Sequence, residues 1–341
     1  MKVLYVSADY APNASGADIS AHTLLSGLGA RGFQVSALID ERLKERTDAY
    51  YANEKGVSFH YTPDAALEHS LDYLRDTLRP DVVMTQGFWL DRMLTWAKSS
   101  DAPLVWFVRS MEHNHCVHDM DASRPAWLVA NSPTVAEYID RKWERDSVVL
   151  FPLIEPAEFK AQERVANGTI TLINPVVQKG GSLFRDLAAL CPDRAFRAIR
   201  GWRQDGPVKP DYVEMPFPNV SVDGPFADMR EVYATTRLLL VPSVWEEAFG
   251  RVVVEAMING IPVIASDKGA LPWLVGDAGT VVASDSAEDW KKVIEAYDDA
   301  ETYQAASERG LERAAEFHPD RLIDEFADRM RDAMRRGWPA L

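Results

Sequence analysis

Cysteine is nearly absent from this chain: Cys116 and Cys191 are the only two in 341 residues. Two thiols so far apart make neither a disulfide scaffold nor a cysteine-based zinc site, and a reducing cytoplasm is the plain expectation. No stretch reaches the ~18 consecutive apolar residues that a membrane-spanning helix requires, so no transmembrane segment is expected. The opening MKVLYVSADYAP carries one lysine and a short apolar run before a loop. It reads as a first strand and not as a signal peptide. Basic residues are outnumbered, 37 Lys and Arg against 52 Asp and Glu, for a net charge of −15. That balance argues against nucleic acid as a partner and gives no strong pull toward an anionic membrane. The glycines after the first apolar run do not form G-x-G-x-x-G, which argues against a nicotinamide enzyme.

What is present is ample material for cores. Hydrophobic residues make up 47% of the chain, and the length suits two domains of ordinary size. The most informative stretch is 238–270, LLLVPSVWEEAFGRVVVEAMINGIPVIASDKGA. Leu238–Val241 has the length of a buried strand, ended by Pro242 and Ser243. A loop carries Trp245 to Gly250, a helix is predicted over Arg251–Asn259, and Gly260 stops it. Pro262–Ala265 is the next strand, which completes a unit of parallel α/β structure. Glu247 lies in the loop just ahead of the helix, and Glu255 lies more than a turn inside it. Free N–H groups at a helix start attract anions. An acid in front of them can accept hydrogen bonds from polyol hydroxyls. The combination suits a sugar joined to a diphosphate.

The Glu-x7-Glu spacing, set in PS-x3-E-x-FG, EAM-x2-G-x-PV and AS-x2-G, resembles the signature of glycosyltransferase family 4. These are retaining enzymes that use nucleotide-diphospho-sugars. The resemblance implies the α/β fold called GT-B, two doubly wound Rossmann-like domains facing a cleft. It implies that Glu247 faces the donor sugar and that Glu255 grips the nucleotide ribose. Backbone N–H groups of Ala248, Phe249, Gly250 and Arg251 would approach the sugar and phosphates. No metal and no cofactor is implied, only the nucleotide-sugar as co-substrate.

In the first half, Val3–Ser7, a glycine loop, a helix over Ile19–Arg31 and a strand over Phe33–Ile39 open a doubly wound domain, whose functional loops lie at the carboxyl ends of its strands. By resemblance, Gly16 sits where the glycine loop meets donor phosphates and acceptor; it reads equally as a simple turn glycine. The stretch 40–55 is charged with mixed signs and offers no basic face for lipid. Residues 1–160 hold 16 Lys and Arg against 23 Asp and Glu, so a soluble acceptor or a docking protein is the more natural partner. Gln86 follows one strand, over Pro80–Thr85. Arg109 and Ser110 follow another, Leu104–Val108. These three are candidates for the acceptor or sugar pocket. Relatives usually carry a histidine at the second strand end. Arg109 could instead grip a carboxylate or phosphate. His113, His115 and His118 with Cys116 match no strong zinc spacing and read as polar loop residues. Ser132 is an N-cap candidate, and Val148–Phe151 is expected as the last strand of this half.

The second half restarts at Ile170–Ile173, followed by NPVVQKGG and a helix over Ser182–Leu190. Lys179, before two glycines at a strand-to-helix turn, is a candidate to hold diphosphate; alternatively it is a solvated surface lysine. Gly180 belongs to the same turn. Asn174 stands where the family usually has an arginine, and Arg251 or Arg203 could supply that charge. Gly201 and Trp202 follow a strand over Ala195–Arg200, at the strand end where relatives build the base pocket. Helices are predicted over Phe226–Ala234, Ala287–Asp299, Ala305–Glu316 and Arg321–Arg336. The expected domains are 1–160 on the acceptor side, 161–320 binding the nucleotide-sugar, and 321–341 as a helix crossing back to the first. The reading is a retaining hexosyltransferase-type enzyme with Glu247 and Lys179 as catalytic residues and a UDP- or GDP-linked donor. The rivals are a nucleotide-sugar epimerase or phosphorylase of similar build, and a binding protein without catalysis.

Overall fold

A strand buried on both faces carries apolar residues at consecutive positions, and such runs recur along this chain. In the computed structural model, which describes residues 1–11, 15–51, 56–111, 126–165, 167–201 and 211–338, they form the central strands of two parallel sheets. The chain divides into two units, Met1–Leu153 with Pro319–Leu341, and Ile154–His318.

The first unit begins with β1 (Lys2–Ser7), α1 (Gly16–Ala30), β2 (Gln34–Asp40), α2 (Lys44–Tyr51) and β3 (Val57–Thr62). It continues with α3 (Leu67–Leu78), β4 (Val82–Thr85), α4 (Leu90–Ala97), β5 (Leu104–Val108), β6 (Ala126–Ala130), α5 (Pro133–Trp143) and β7 (Val148–Val149). The sheet order is β3-β2-β1-β4-β5-β6-β7, parallel throughout. Successive side chains of β1 serve opposite cores. Val3 and Tyr5 join Leu24, Leu25 and Leu28 of α1, whereas Leu4 and Val6 join Leu71 of α3 and Met93 of α4.

The second unit holds α6 (Pro156–Phe159), β8 (Thr169–Ile173), α7 (Gly181–Leu190), β9 (Phe196–Ile199), β10 (Val220–Asp223) and α8 (Arg230–Ala234). After these come β11 (Thr236–Val241), α9 (Arg251–Ile258), β12 (Val263–Ser266), α10 (Leu271–Val275), β13 (Gly279–Val282), α11 (Ala287–Ala296) and α12 (Ala300–Ala315). Its order is β10-β9-β8-β11-β12-β13, again parallel. The last helix, α13 (Pro319–Arg336), belongs to the first unit. Its Leu322, Phe326 and Met330 enter the core shared with α1. Asp324 takes a 2.6 Å ion pair from Arg31 at the end of α1. Among the described residues no helix is long and apolar enough to cross a membrane.

Both sheets reverse direction of growth at one place. In the first unit this falls between β1 and β4, in the second between β8 and β11. Loops leaving the carboxyl ends of the flanking strands diverge there, and ligands of open parallel sheets bind at such points.

Ser132 caps α5 as its residue type suggests. Its hydroxyl accepts the Val135 N–H at 3.1 Å, the side chain is buried, and Pro133 occupies the first turn. Ser132→Ala is expected to lower stability by about 1 kcal/mol, read as a shift in denaturant midpoint with unchanged slope. Several elements are shorter than their patterns predict, among them the helix expected over Ala287–Asp299, which ends at Ala296. The strand expected over Val148–Phe151 pairs only at Val148 and Val149, because Pro152 has no N–H to extend the ladder. The helix expected from Phe226 starts at Arg230, whose N–H bonds to the Asp228 carboxylate at 2.9 Å.

Candidate functional site

At the switch point of the second unit, the loop after β8 meets the loop after β11. Lys179 ends a short 3-10 turn, Val177–Lys179, and Gly180 follows in the left-handed region at φ 79°. A Cβ on Gly180 would run into the Pro242 carbonyl, so glycine is what allows the two loops to touch. The contact is sealed by the Val244 N–H donating to the Gln178 carbonyl at 3.0 Å.

This approach places the Lys179 ammonium 2.6 Å from Oε1 of Glu247, 68 positions away in sequence. The same carboxylate oxygen accepts the Ser243 hydroxyl at 2.6 Å and the Trp245 indole N–H at 2.9 Å. The ammonium also lies 4.4 Å from the centre of the Trp245 ring, within cation–π range. Glu247 is 7% exposed, so its charge is held by these three donors with little help from water. Among the described residues no hydrogen bond falls on its other oxygen, Oε2. From behind, Gly269 (φ 57°) packs on the Glu247 backbone, and the Ala270 N–H donates to the Glu247 carbonyl at 2.8 Å.

Two helices start at this site. α7 starts after Gly180 and α9 after Gly250 (φ 103°), and neither has a side-chain cap; the first N–H of α7, Gly181, donates to the Val176 carbonyl at 2.9 Å. Ala248 is half-buried. Phe249 turns its ring into the unit, edge-on to Phe317 at 5.6 Å, leaving its backbone to the loop. Arg251 lies 3.5 Å from Oε1 of Glu255 and 5.9 Å from the Phe159 ring centre. Glu255 is buried one turn inside α9, and its Oε2 accepts the Tyr233 hydroxyl at 2.6 Å. Burial and that carboxylate push the Tyr233 phenol well above its usual range, so it keeps the proton it donates to Glu255. Asn174 sits in the left-handed region at φ 59°, and its Oδ1 accepts the Gly201 N–H at 2.9 Å, tying the ends of β8 and β9 together.

The first unit has its own cavity, of about 190 Å³, at its switch point. Ser7, Asp18, Gln86, Arg109 and Ser110 line it, with exposed Phe88 at one side. Gln86 is the link. Its amide donates to Oδ1 of Asp18 at 3.0 Å, and its carbonyl accepts from Nε of Arg109 at 3.1 Å. The other Asp18 oxygen accepts the Ser15 N–H and hydroxyl at 3.0 and 2.8 Å. Burial raises the Asp18 carboxyl above the usual range, the Asp9 charge adds to this, and the Ser15 bonds oppose it. Gly16 opens α1 beside this network. Thus the cavity brings together Gln86, Arg109 and Ser110, while the second unit brings together Lys179, Gly180, Glu247 and the start of α9. His113, His115, His118, Cys116, Trp202 and Arg203 lie outside the described residues. Sequence reasoning assigned no role to Ser243, Trp245 and Tyr233. The first two flank Glu247 closely enough to be suspected as its donors, whereas Tyr233 had no local signal.

Residues 199–299 match the profile of the family described as Glycosyl transferases group 1. Over 116 residues the chain is 31% identical to a D-inositol 3-phosphate glycosyltransferase of Corynebacterium kroppenstedtii, covering 33% of this chain and 26% of that protein. It is 34% identical over 94 residues to O-antigen chain mannosyltransferase B of Escherichia coli, covering 27% and 24%. The aligned segment therefore spans about a quarter of the length of these curated relatives. Solved structures match nearly end to end. Sucrose-phosphate synthase of Thermosynechococcus elongatus covers 98% of this chain and 100% of its own, with TM-score 0.75 and 18% identity. HepE of Anabaena, in complex with UDP and glucose, covers 97% and 100%, with TM-score 0.78 and 17% identity. At these identities the likeness is one of fold: two parallel-sheet Rossmann-like domains of the GT-B type. Together the matches make this chain similar to glycosyltransferases, in sequence within the second unit and in fold nearly throughout.

Proposed function

We propose that this chain is a retaining glycosyltransferase of family 4 that moves a hexosyl group from a UDP- or GDP-linked sugar to a soluble hydroxyl acceptor in the cytoplasm. The observation that carries this reading is the meeting of Lys179 and Glu247 at 2.6 Å, in front of the start of α9. A nucleotide-diphospho-sugar presents both partners such a pair would serve. Lys179, with the positive dipole ends of α7 and α9, stabilises the diphosphate as it departs and gains charge. Glu247 Oε2 accepts a hydroxyl of the transferring sugar, and Glu255 holds the ribose. The leaving phosphate takes the acceptor proton, so the reaction needs neither a side-chain base nor a metal. Gln86, Arg109 and Ser110 belong to the acceptor side. The relatives, one a D-inositol 3-phosphate glycosyltransferase and one a mannosyltransferase, and the UDP and glucose bound to HepE agree with sugar transfer from a nucleotide.

Calorimetric titration with UDP, GDP and ADP, in the presence of a chelator, tests the reading. One of the three is expected to bind selectively. In Glu255→Ala that nucleotide should bind about tenfold or more weakly, as expected when a charged hydrogen-bond acceptor is removed. If none binds to the folded protein, the donor reading fails.

A further inference from the structure

Of the two carboxylate oxygens of Glu255, one accepts a short hydrogen bond and the other is held only by a longer ion pair with Arg251. Oε2 accepts the Tyr233 hydroxyl at 2.6 Å; Oε1 lies 3.5 Å from Nε of Arg251, beyond a good hydrogen bond. Tyr233 is fully buried on α8, directly before β11, and its phenol is held protonated. Its proton is therefore available to the carboxylate, and a carboxylate that receives a short bond on one oxygen cannot rotate freely about its last torsion. The backbone beneath is pinned too. Nδ2 of Asn259 donates to the Glu255 carbonyl at 2.8 Å and to the Phe159 carbonyl at 2.9 Å, while the Ala161 N–H donates to Asn259 Oδ1 at 2.8 Å. A glutamate side chain ordinarily has three torsions to search. Here the backbone is anchored at one end and the carboxylate at the other.

From this we infer that Tyr233 is a positioning residue that sets sugar recognition on the nucleotide: by taking Oε2 it presents Oε1 of Glu255 to the ribose diol, and so favours ribonucleotides over nucleotides that lack those hydroxyls. The inference rests on the donor reading above and deepens it. Tyr233 touches no ligand. Its effect passes through one carboxylate, and that makes it separable from general loosening of the site. A loosened site weakens every nucleotide alike. A misaimed carboxylate weakens only the contact with the diol.

The test is calorimetric titration of UDP, GDP and ADP, each beside its 2′,3′-dideoxy form, against the wild-type chain, Glu255→Gln, Tyr233→Phe and the double variant. For the nucleotide that binds, the wild type is expected to prefer the ribo form by about tenfold or more, the scale of a hydrogen bond to a charged group. Glu255→Gln should remove most of that ratio. Tyr233→Phe should cut it by about threefold or more, while affinity for the dideoxy form changes little. The double variant should show the same ratio as Glu255→Gln alone. It carries no unpaired buried charge, so it remains informative if Tyr233→Phe does not fold. A ratio unchanged in Tyr233→Phe overturns the inference and leaves the donor reading intact. A ratio that drops further in the double variant than in Glu255→Gln also overturns it, since Tyr233 would then act by another route. Binding of no nucleotide by the wild type removes the donor reading and this inference with it.

Discussion

Glu247→Ala is expected to slow release of nucleoside diphosphate from the donor sugar by about 100- to 1,000-fold, with a much smaller change in nucleotide affinity. The side chain does two things at once. Its Oε1 gathers Lys179, Ser243 and Trp245, and its Oε2 is left for the sugar. Alanine removes both. The ammonium loses the partner that fixes its place and is free to follow the diphosphate in the ground state, so binding survives. What is lost is the alignment that matters when the bond to the phosphate breaks. Glu247→Gln should fall between, since an amide oxygen can still accept from Ser243 and Trp245 but gives Lys179 no charge. The measurements are donor turnover in water or with added acceptor, set beside calorimetric dissociation constants. Loss of nucleotide affinity with turnover per bound donor preserved would reverse the role given to Glu247. A loss of stability of about 1–3 kcal/mol accompanies the change, because the buried Ser243 hydroxyl loses its acceptor.

The parts of this site differ in how far the sequence could reveal them. Central strands were readable because both faces are buried, so β5 is apolar throughout and β1 and β11 carry the apolar runs Val3–Val6 and Leu238–Val241. Strands β3 and β13 were not anticipated, and β7 is shorter than expected. All three lie at sheet edges, where one side has no neighbour and burial is partial. VSFHYT does alternate apolar and polar residues at the period of a half-buried strand, so β3 was legible in the sequence, whereas GTVV is only four residues long and follows a turn. Helix α4 escaped for a different reason. A short turn, Gly87–Trp89, separates it from β4, and its buried Leu90, Met93 and Trp96 follow residues that read as a loop. For the site, Lys179 and Glu247 were legible one at a time, each by residue type and by position at a strand end. Their pairing was not, because it depends on β8 lying beside β11, and that adjacency is a property of the sheet order. Tyr233 was invisible for the same reason. Its partner is 22 residues away, across β11, and a tyrosine among apolar neighbours looks like core.

Gly180→Ala tests the contact that makes the pairing possible, and a second glycine provides the control. Gly32 and Gly180 share nearly the same left-handed backbone, φ 84° and 79°. A Cβ on Gly32 meets nothing within 4 Å, whereas on Gly180 it would run into the Pro242 carbonyl and its ring. Gly32→Ala therefore isolates the cost of an L-residue in that region, about 1 kcal/mol. Gly180→Ala bears that cost and must also push two backbone segments apart, for an expected loss of about 3 kcal/mol or more. The segments it separates carry Lys179 on one side and Ser243, Trp245 and Glu247 on the other. The Val244–Gln178 bond goes with them. Nucleotide binding and turnover should consequently fall together in Gly180→Ala and remain at wild-type level in Gly32→Ala. Urea titrations followed by tryptophan fluorescence, with each unit's transition fitted separately, give the stabilities. Equal losses in the two variants would mean that the Pro242 loop yields without strain, and the approach of the two loops would then be a resting position and not a constraint imposed by the glycine.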